Sequence, residues 1–338
     1  MVRIHTLNIS PALINSSCAW ASDLEQLTEL YNSPFTGAVT TRTATLDGFQ
    51  EGPTHTVASS FLSILHNLIL RQVAFANSDS NVTSINSYGY SPHPLSLYLA
   101  WVKVLLRSEA AQLRRMMQDI QHLRMEHVDT PAQSFIAIEL NTSCPNIPNA
   151  PPTGYAFPSL LPLLTVLREE YAKDPTLTIG LKLPPFVYRD QFNAVIDAIK
   201  GLCLLDDESG TVPACPIAFF TCTNTLGNSL LFAEQSTRLV HPMEGKEASP
   251  FAIPTGLGGL AGDALHALAL GNVYTFSKIL REAGHSSLGR ISVIGVGGVT
   301  SKAAAERMRE AGATVVGCAT LLGKEGIRAF EIIGGEVA

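Results

Sequence analysis

The sequence predicts an α/β fold, a (β/α)8 or TIM barrel, built as a single domain over residues 1–338. Three observations predict it. Short apolar strands alternate with helical patterns along most of the chain. The strands end repeatedly in polar residues, as they do where a barrel carries its chemistry on the C-terminal face. The last two strands run into small-residue loops, Val296-Gly297-Gly298-Val299-Thr300 and Ala319-Thr320. Those two positions form the usual phosphate site of this fold, where backbone N–H groups and a helix start hold an anion.

The elements follow in order. Residues 8–18 (NISPALINSSC) suggest a loop of small residues that lets a ligand approach the backbone. Ser22-Asp23 caps a helix with Leu24, Leu27 and Leu30 at helical spacing. Gly37–Thr43 is a β-branched strand ending near Arg42, a cation that is either solvated or placed to meet an anionic ring or carboxylate. Residues 56–75 read as a short amphipathic or buried helix, and Ser84–Gly89 as the next strand and its loop, with Asn86 at the strand end. From Pro94 to about Arg124 the pattern is helical throughout. Strand Phe135–Leu140, helix Phe157–Tyr171, strand Thr178–Leu183 with Lys182, and helix Asp190–Leu202 come next. Strand Pro216–Cys222 ends in Thr223-Asn224-Thr225. Thr255–Gly262 reads as a flexible glycine-rich loop leading into a helix. Strands Ile291–Gly295 and Thr314–Cys318 and helix Lys324–Ile333 close the pattern.

The stretch with the densest chemistry is Phe135–Ala150, FIAIELNTSCPNIPNA. Its apolar half is a strand covered on both faces. Its polar half places the Cys144 thiol between Asn141 and Asn146 at a strand end, in a proline-stiffened loop. A lone cysteine is most often a buried structural residue. Flanking carboxamides, costly to bury without partners, shift the reading toward a site for a planar polar ligand.

Bulk properties narrow the function. The chain has 338 residues, 46% of them hydrophobic, and a formal net charge of −6. No basic run suggests a nucleic-acid surface. The six cysteines form no CxxC pair, so zinc or iron–sulfur ligation is not expected. Their scatter fits free thiols in a reducing compartment. The first residues lack the apolar core of a signal peptide, and Phe61–Leu70 is too short to span a bilayer. A cytoplasmic enzyme without nucleic-acid or membrane partners is the expectation.

The motifs carry a resemblance. NSS (15–17), GAVTTRT (37–43), SINSYG (84–89), ELNTSCPN (139–146), GLKLPP (180–185), TNTLGN (223–228), GLGGLAG (256–262), IGVGGV (294–299) and ATLLGKEG (319–326) resemble the class 1 dihydroorotate dehydrogenases. The resemblance implies an FMN-binding barrel that oxidises dihydroorotate to orotate in pyrimidine synthesis. Cys144 would be the general base, and a cysteine at this position implies the soluble class. Lys182 would lie at the flavin's N1–C2 edge and stabilise the reduced ring. The substrate would be held by Asn86, Asn141, Asn146 and Asn224, with Arg42, Tyr88, Gly89 and Thr225. The cofactor would contact Ser16, Ser17, Arg42, Asn141, Lys182 and Thr223. Its phosphate would lie at Gly259, Gly297, Gly298, Ala319 and Thr320. Fumarate as electron acceptor and a homodimer complete the expectation.

The chain departs from the family pattern in three places. Arg42 stands where the family carries lysine, and the two cations are not interchangeable beside a ring. Residues 58–74 look like an insertion. Leu105–Ala110 joins two helical patterns directly, where the family has its third barrel strand. Seven barrel strands are therefore expected, with Leu105–Ala111 as helix or turn and Phe61–Phe75 plugging an opening beside Asn86 and Ile138. Two other readings stay open: a related flavin oxidoreductase for another cyclic substrate, and an impaired barrel that binds flavin poorly.

Overall fold

A computed structural model describes residues 1–44, 73–75, 82–86, 91–98, 124, 135–143, 153–203, 215–236, 250–282 and 287–335. In order, these form β1 (Val2–Ile4), β2 (Leu7–Ile9), β3 (Leu13–Asn15), α1 (Leu24–Asn32), β4 (Val73–Phe75), β5 (Thr83–Asn86) and β6 (Ala137–Asn141). Then come α2 (Leu161–Lys173), β7 (Thr178–Leu183), α3 (Arg189–Leu202), β8 (Phe219–Cys222), β9 (Leu226–Leu230) and β10 (Leu257–Gly262). The last are α4 (Asp263–Glu282), β11 (Ser292–Val296), α5 (Lys302–Glu310), β12 (Val315–Cys318), α6 (Thr320–Glu325) and α7 (Arg328–Gly334).

Six strands, in the order β3-β12-β11-β8-β7-β6, form a parallel sheet curled into a half-barrel. Successive side chains alternate between its two faces. Outward residues such as Leu181, Leu183, Phe220 and Val293 pack on the helical layer with Val195, Ile199 and Phe276. Inward residues Ile14, Phe219, Ile294, Val296 and Val315 form a second cluster with Ile4 and Ile9. The antiparallel β1–β2 hairpin thus supplies Ile4 and Ile9 to the inner core. Gly180 is required in that packing, because a Cβ there would stand 2.1 Å from the Phe219 ring.

A seventh position is marked by a single parallel bridge between Ala38 and Ile14. The expected strand over Gly37–Thr43 is otherwise extended chain without a ladder, and the reason is Asn15. Its side-chain Oδ1 accepts the Thr40 N–H at 2.7 Å, and its Nδ2 donates to the Thr40 carbonyl at 2.6 Å. A buried carboxamide therefore does for Thr40 what a neighbouring strand's peptide would do. Asn15→Ala leaves both Thr40 groups without these partners and should cost about 2 kcal/mol. The check is a urea midpoint that falls with an unchanged m-value.

A second sheet, antiparallel and four-stranded, runs β4-β5-β10-β9. It overturns several sequence expectations. Ser84–Asn86 belongs here and not to the barrel, pairing with both Val73–Phe75 and Gly259–Ala261. The glycine-rich stretch before α4 is strand β10, because pairing on both edges satisfies its backbone despite the low strand propensity of glycine. Val73–Phe75 is strand, not the end of a helix. Within the expected loop 8–18, Leu13–Asn15 is a barrel strand paired with β12. The expected helix 324–333 is broken at Gly326, whose φ of 60° ends α6.

Other expectations agree with the structure. Asp23 caps α1 by accepting the Gln26 N–H at 2.9 Å. Strand 178–183 has the expected bounds. Leu105–Ala111 and Phe61–Arg71 lie outside the described residues, as does most of the expected insertion. None of the described helices is long and apolar enough to cross a membrane.

Candidate active site

The C-terminal ends of β3, β6, β7 and β8 converge on one group of side chains. Lys182, near the end of β7, is only 4% exposed. Its Nζ donates to Ser16 Oγ at 2.9 Å and reaches the Ser17 carbonyl at 3.5 Å. Its own carbonyl accepts from Thr142 Oγ1 at 2.7 Å and Ser143 Oγ at 3.2 Å, which ties the ends of β6 and β7 together. Behind it, the Phe186 backbone is clamped on both its N–H and C=O by the buried Asn272 of α4, at 2.8 and 2.9 Å. The loop after Lys182 is thereby anchored to a helix.

Beside the lysine lies a carboxamide cluster. Asn224 Nδ2 donates to Asn141 Oδ1 and to Ser143 Oγ, each at 3.1 Å. Asn141 Oδ1 also accepts the Ser143 N–H at 3.2 Å, and Asn141 Nδ2 donates to Thr43 Oγ1 at 3.0 Å. Asn224 Oδ1 accepts the Thr225 N–H at 2.8 Å. With two hydrogens on each amide nitrogen and two lone pairs on each amide oxygen, the remaining capacity can be counted. Among the described residues, Asn141 keeps one N–H and Asn224 keeps one lone pair. The two carboxamides thus present one donor and one acceptor.

One strand position deeper, Glu139 accepts a hydrogen bond from Thr221 Oγ1 across the inner face. Arg42 is buried, with its backbone N–H on the Ala21 carbonyl at 2.9 Å. Its charge acts on Cys18, His93 and Tyr98. Burial pushes the Cys18 thiol up to about 11, while the nearby Lys182 and Arg42 charges pull the other way. That thiol stays protonated at neutral pH. The five described cysteines are free.

A glycine cradle lies at the end of β11. Gly297 and Gly298 adopt φ of 127° and 65°, where L side chains are strained. Gly298 is buried, and its N–H has no hydrogen-bond acceptor among the described residues. Thr223 Oγ1 is also buried without a partner among the described residues, and lies 3.7 Å from where a Cβ on Gly297 would stand. Buried polar groups are nearly always paired in a complete structure. A buried cation, two donors without partners among the described residues and a glycine cradle are what an anion-bearing planar cofactor would satisfy, so the residues fit a flavin nucleotide. Ala319 and Thr320 open α6 next to β5, with Thr320 Oγ1 3.4 Å from Ser84 Oγ. Gly259 lies in β10 opposite Asn86.

The structure thus brings together Ser16, Ser17, Asn141, Lys182, Asn224 and Thr225, and separately Thr223, Gly297 and Gly298. Tyr88, Gly89, Cys144 and Asn146 lie outside the described residues, and for Asn86 only the backbone is described. Thr43, Ser143 and Asn272 escaped the sequence reading. For Thr43 and Ser143 the signal was their place beside Arg42 and Asn141. Asn272 carried only a buried-face position on a helix.

This is the frame of an α/β-barrel enzyme with its polar groups at the C-terminal strand ends. The chain belongs to the dihydroorotate dehydrogenase family, whose model matches residues 76–338. The family comprises oxidoreductases that convert dihydroorotate to orotate, and its fold is the TIM barrel. Several streptococcal relatives bear the name dihydroorotate dehydrogenase A (fumarate). One from Streptococcus agalactiae serotype Ia is 27% identical over 333 residues, covering 96% of this chain and 88% of the relative. One from Streptococcus pneumoniae serotype 4 shows the same identity and coverage. One from Streptococcus pyogenes serotype M5 is 29% identical over 268 residues, or 77% of this chain and 73% of the relative.

Proposed function

We propose that this chain oxidises dihydroorotate to orotate with FMN as cofactor and fumarate as electron acceptor, as a cytoplasmic homodimer. The observation that carries the reading is the buried Lys182 ammonium beside the Asn141–Asn224 pair, at the ends of adjacent strands. A bound flavin would supply a hydride acceptor. Lys182 would place a positive charge where negative charge develops. The spare Asn141 N–H and Asn224 lone pair match the alternating C=O and N–H groups of a dihydropyrimidine ring. Cys144, adjoining Ser143, would take the proton; its assignment rests on the TSCPN run. Asn86, Asn146, Arg42, Tyr88 and Gly89 would complete the substrate contacts. Ser16, Ser17 and Thr223 would face the cofactor. Gly259, Gly297, Gly298, Ala319 and Thr320 would hold its phosphate.

The test is anaerobic. Purified protein should be yellow, and its flavin spectrum should bleach with dihydroorotate and recover with fumarate. Colourless protein that takes up no added FMN would refute the flavin assignment. Bleaching by other dihydropyrimidines in preference to dihydroorotate would favour a different cyclic substrate, the reading that Arg42 suggests.

A further inference from the structure

His266 and Arg307 take no part in the reading above, yet His266 touches its glycine cradle and Arg307 touches His266. His266 lies in the first turns of α4, and its Nδ1 is 2.8 Å from the Gly297 carbonyl oxygen. Arg307, on α5, directs its Nε–H at the other ring nitrogen, Nε2, at 3.2 Å. A guanidinium has no acceptor, so Nε2 must present its lone pair. The proton of the neutral ring is then on Nδ1, the nitrogen that faces the carbonyl. Arg307 thereby selects the tautomer that donates to Gly297.

The peptide that follows is planar, with its C=O and N–H pointing in opposite directions. Drawing the Gly297 carbonyl toward α4 turns the Gly298 N–H away from that helix. This is the N–H of a buried residue, and it has no acceptor among the described residues. The approach of helix to loop depends on glycine at both positions. A Cβ on Gly297 would stand 2.6 Å from Ala269 Cβ, and one on Gly298 2.6 Å from His266 Cβ.

We propose that His266 is a positioning residue for an anion-binding peptide, and that Arg307 acts through it by fixing its tautomer. The ligand class is a phosphate monoester, here the phosphate of FMN, so the proposal rests on the flavin reading above. The Arg307–His266–Gly297 chain holds the Gly298 N–H ready before the cofactor arrives, which lowers the ordering cost of binding.

The experiment is a flavin titration of full-length apoprotein with two probes, FMN and riboflavin, which lacks the phosphate. His266→Ala should weaken FMN roughly three- to tenfold, the effect of one hydrogen bond, with riboflavin affinity changed less than about twofold. His266→Asn, whose amide N–H can still reach the Gly297 carbonyl, should keep most of the FMN affinity. With histidine labelled by 15N, His266 should show the Nδ1–H tautomer in the wild type and shift toward Nε2–H in Arg307→Ala. Equal losses for FMN and riboflavin, an unchanged FMN affinity in His266→Ala, or an Nε2–H tautomer in the wild type would overturn the proposal alone. Wild-type protein that binds neither flavin would sink the functional reading, and this proposal with it.

Discussion

Replacing Lys182 by alanine should slow reduction of the bound flavin by dihydroorotate roughly 100- to 1,000-fold, the usual effect of removing one preorganised electrostatic group from a water-poor site. The magnitude follows from the setting of the charge. Lys182 is 4% exposed, so its field is poorly screened, and its Nζ is fixed by Ser16 Oγ at 2.9 Å. A cation held this way need not reorganise as charge develops. Substrate affinity should change much less than the rate, because the ground-state ring carries less charge at the position the cation meets. Stopped-flow reduction across a range of dihydroorotate concentrations separates the two. A melting curve should accompany it, since the truncation also leaves Ser16 Oγ without its donor. An unchanged reduction rate in a folded, flavin-loaded variant would place Lys182 away from the reacting atoms.

Cys144→Ala should retain FMN and lose roughly 100- to 10,000-fold in turnover, the range for deleting a general base. A free thiol titrates near 8.5, close enough to neutrality for its surroundings to tune. Cys144→Ser should recover part of the activity and gain more as pH rises, because the hydroxyl is the poorer base. The pH–rate profiles of the three proteins decide the matter. Turnover in the alanine variant equal to wild type removes Cys144 from the proton transfer. Coincident alanine and serine profiles across pH would mean that no hydroxyl can substitute for the thiol.

What could be read from the sequence depended on how local its cause was. The bounds of β7 were legible because its apolar run stops at Pro184-Pro185, and the start of α1 because Asp23 meets its own helix N–H. Lys182, Asn141 and Asn224 stood out as polar residues closing apolar strands. Sheet membership was not legible. Ser84–Asn86 has a strand's composition, but only its partners Gly259–Ala261 and Val73–Phe75 show that it lies outside the barrel. β10 looked like a loop because glycine is a poor strand former in isolation, and two flanking strands outweigh that preference. Leu13–Asn15 was missed because three residues are too few to show a period. Thr43 and Ser143 join the site through hydroxyls, which are common in any turn, so their places near Arg42 and Asn141 were the sole signal. His266 became visible only once its ring was seen to lie between the Gly297 carbonyl and Arg307.

The pairing of β3 with β12 bears on how the chain folds during synthesis. Leu13 aligns with Val316 and Asn15 with Cys318, so the partner strand is made roughly 300 residues later. At ribosomal speeds β3 waits roughly 15 to 60 s for it. Contacts this distant in sequence make folding slow, and an apolar strand edge exposed meanwhile invites association with other chains. The β1–β2 hairpin and the Asn15–Thr40 clamp use only residues near the start of the chain. They can form early and cover one side of β3 while the other waits. On this view Asn15→Ala raises the yield of aggregate in cell-free translation more than its equilibrium destabilisation alone would, and supplying chaperone during synthesis should recover the difference.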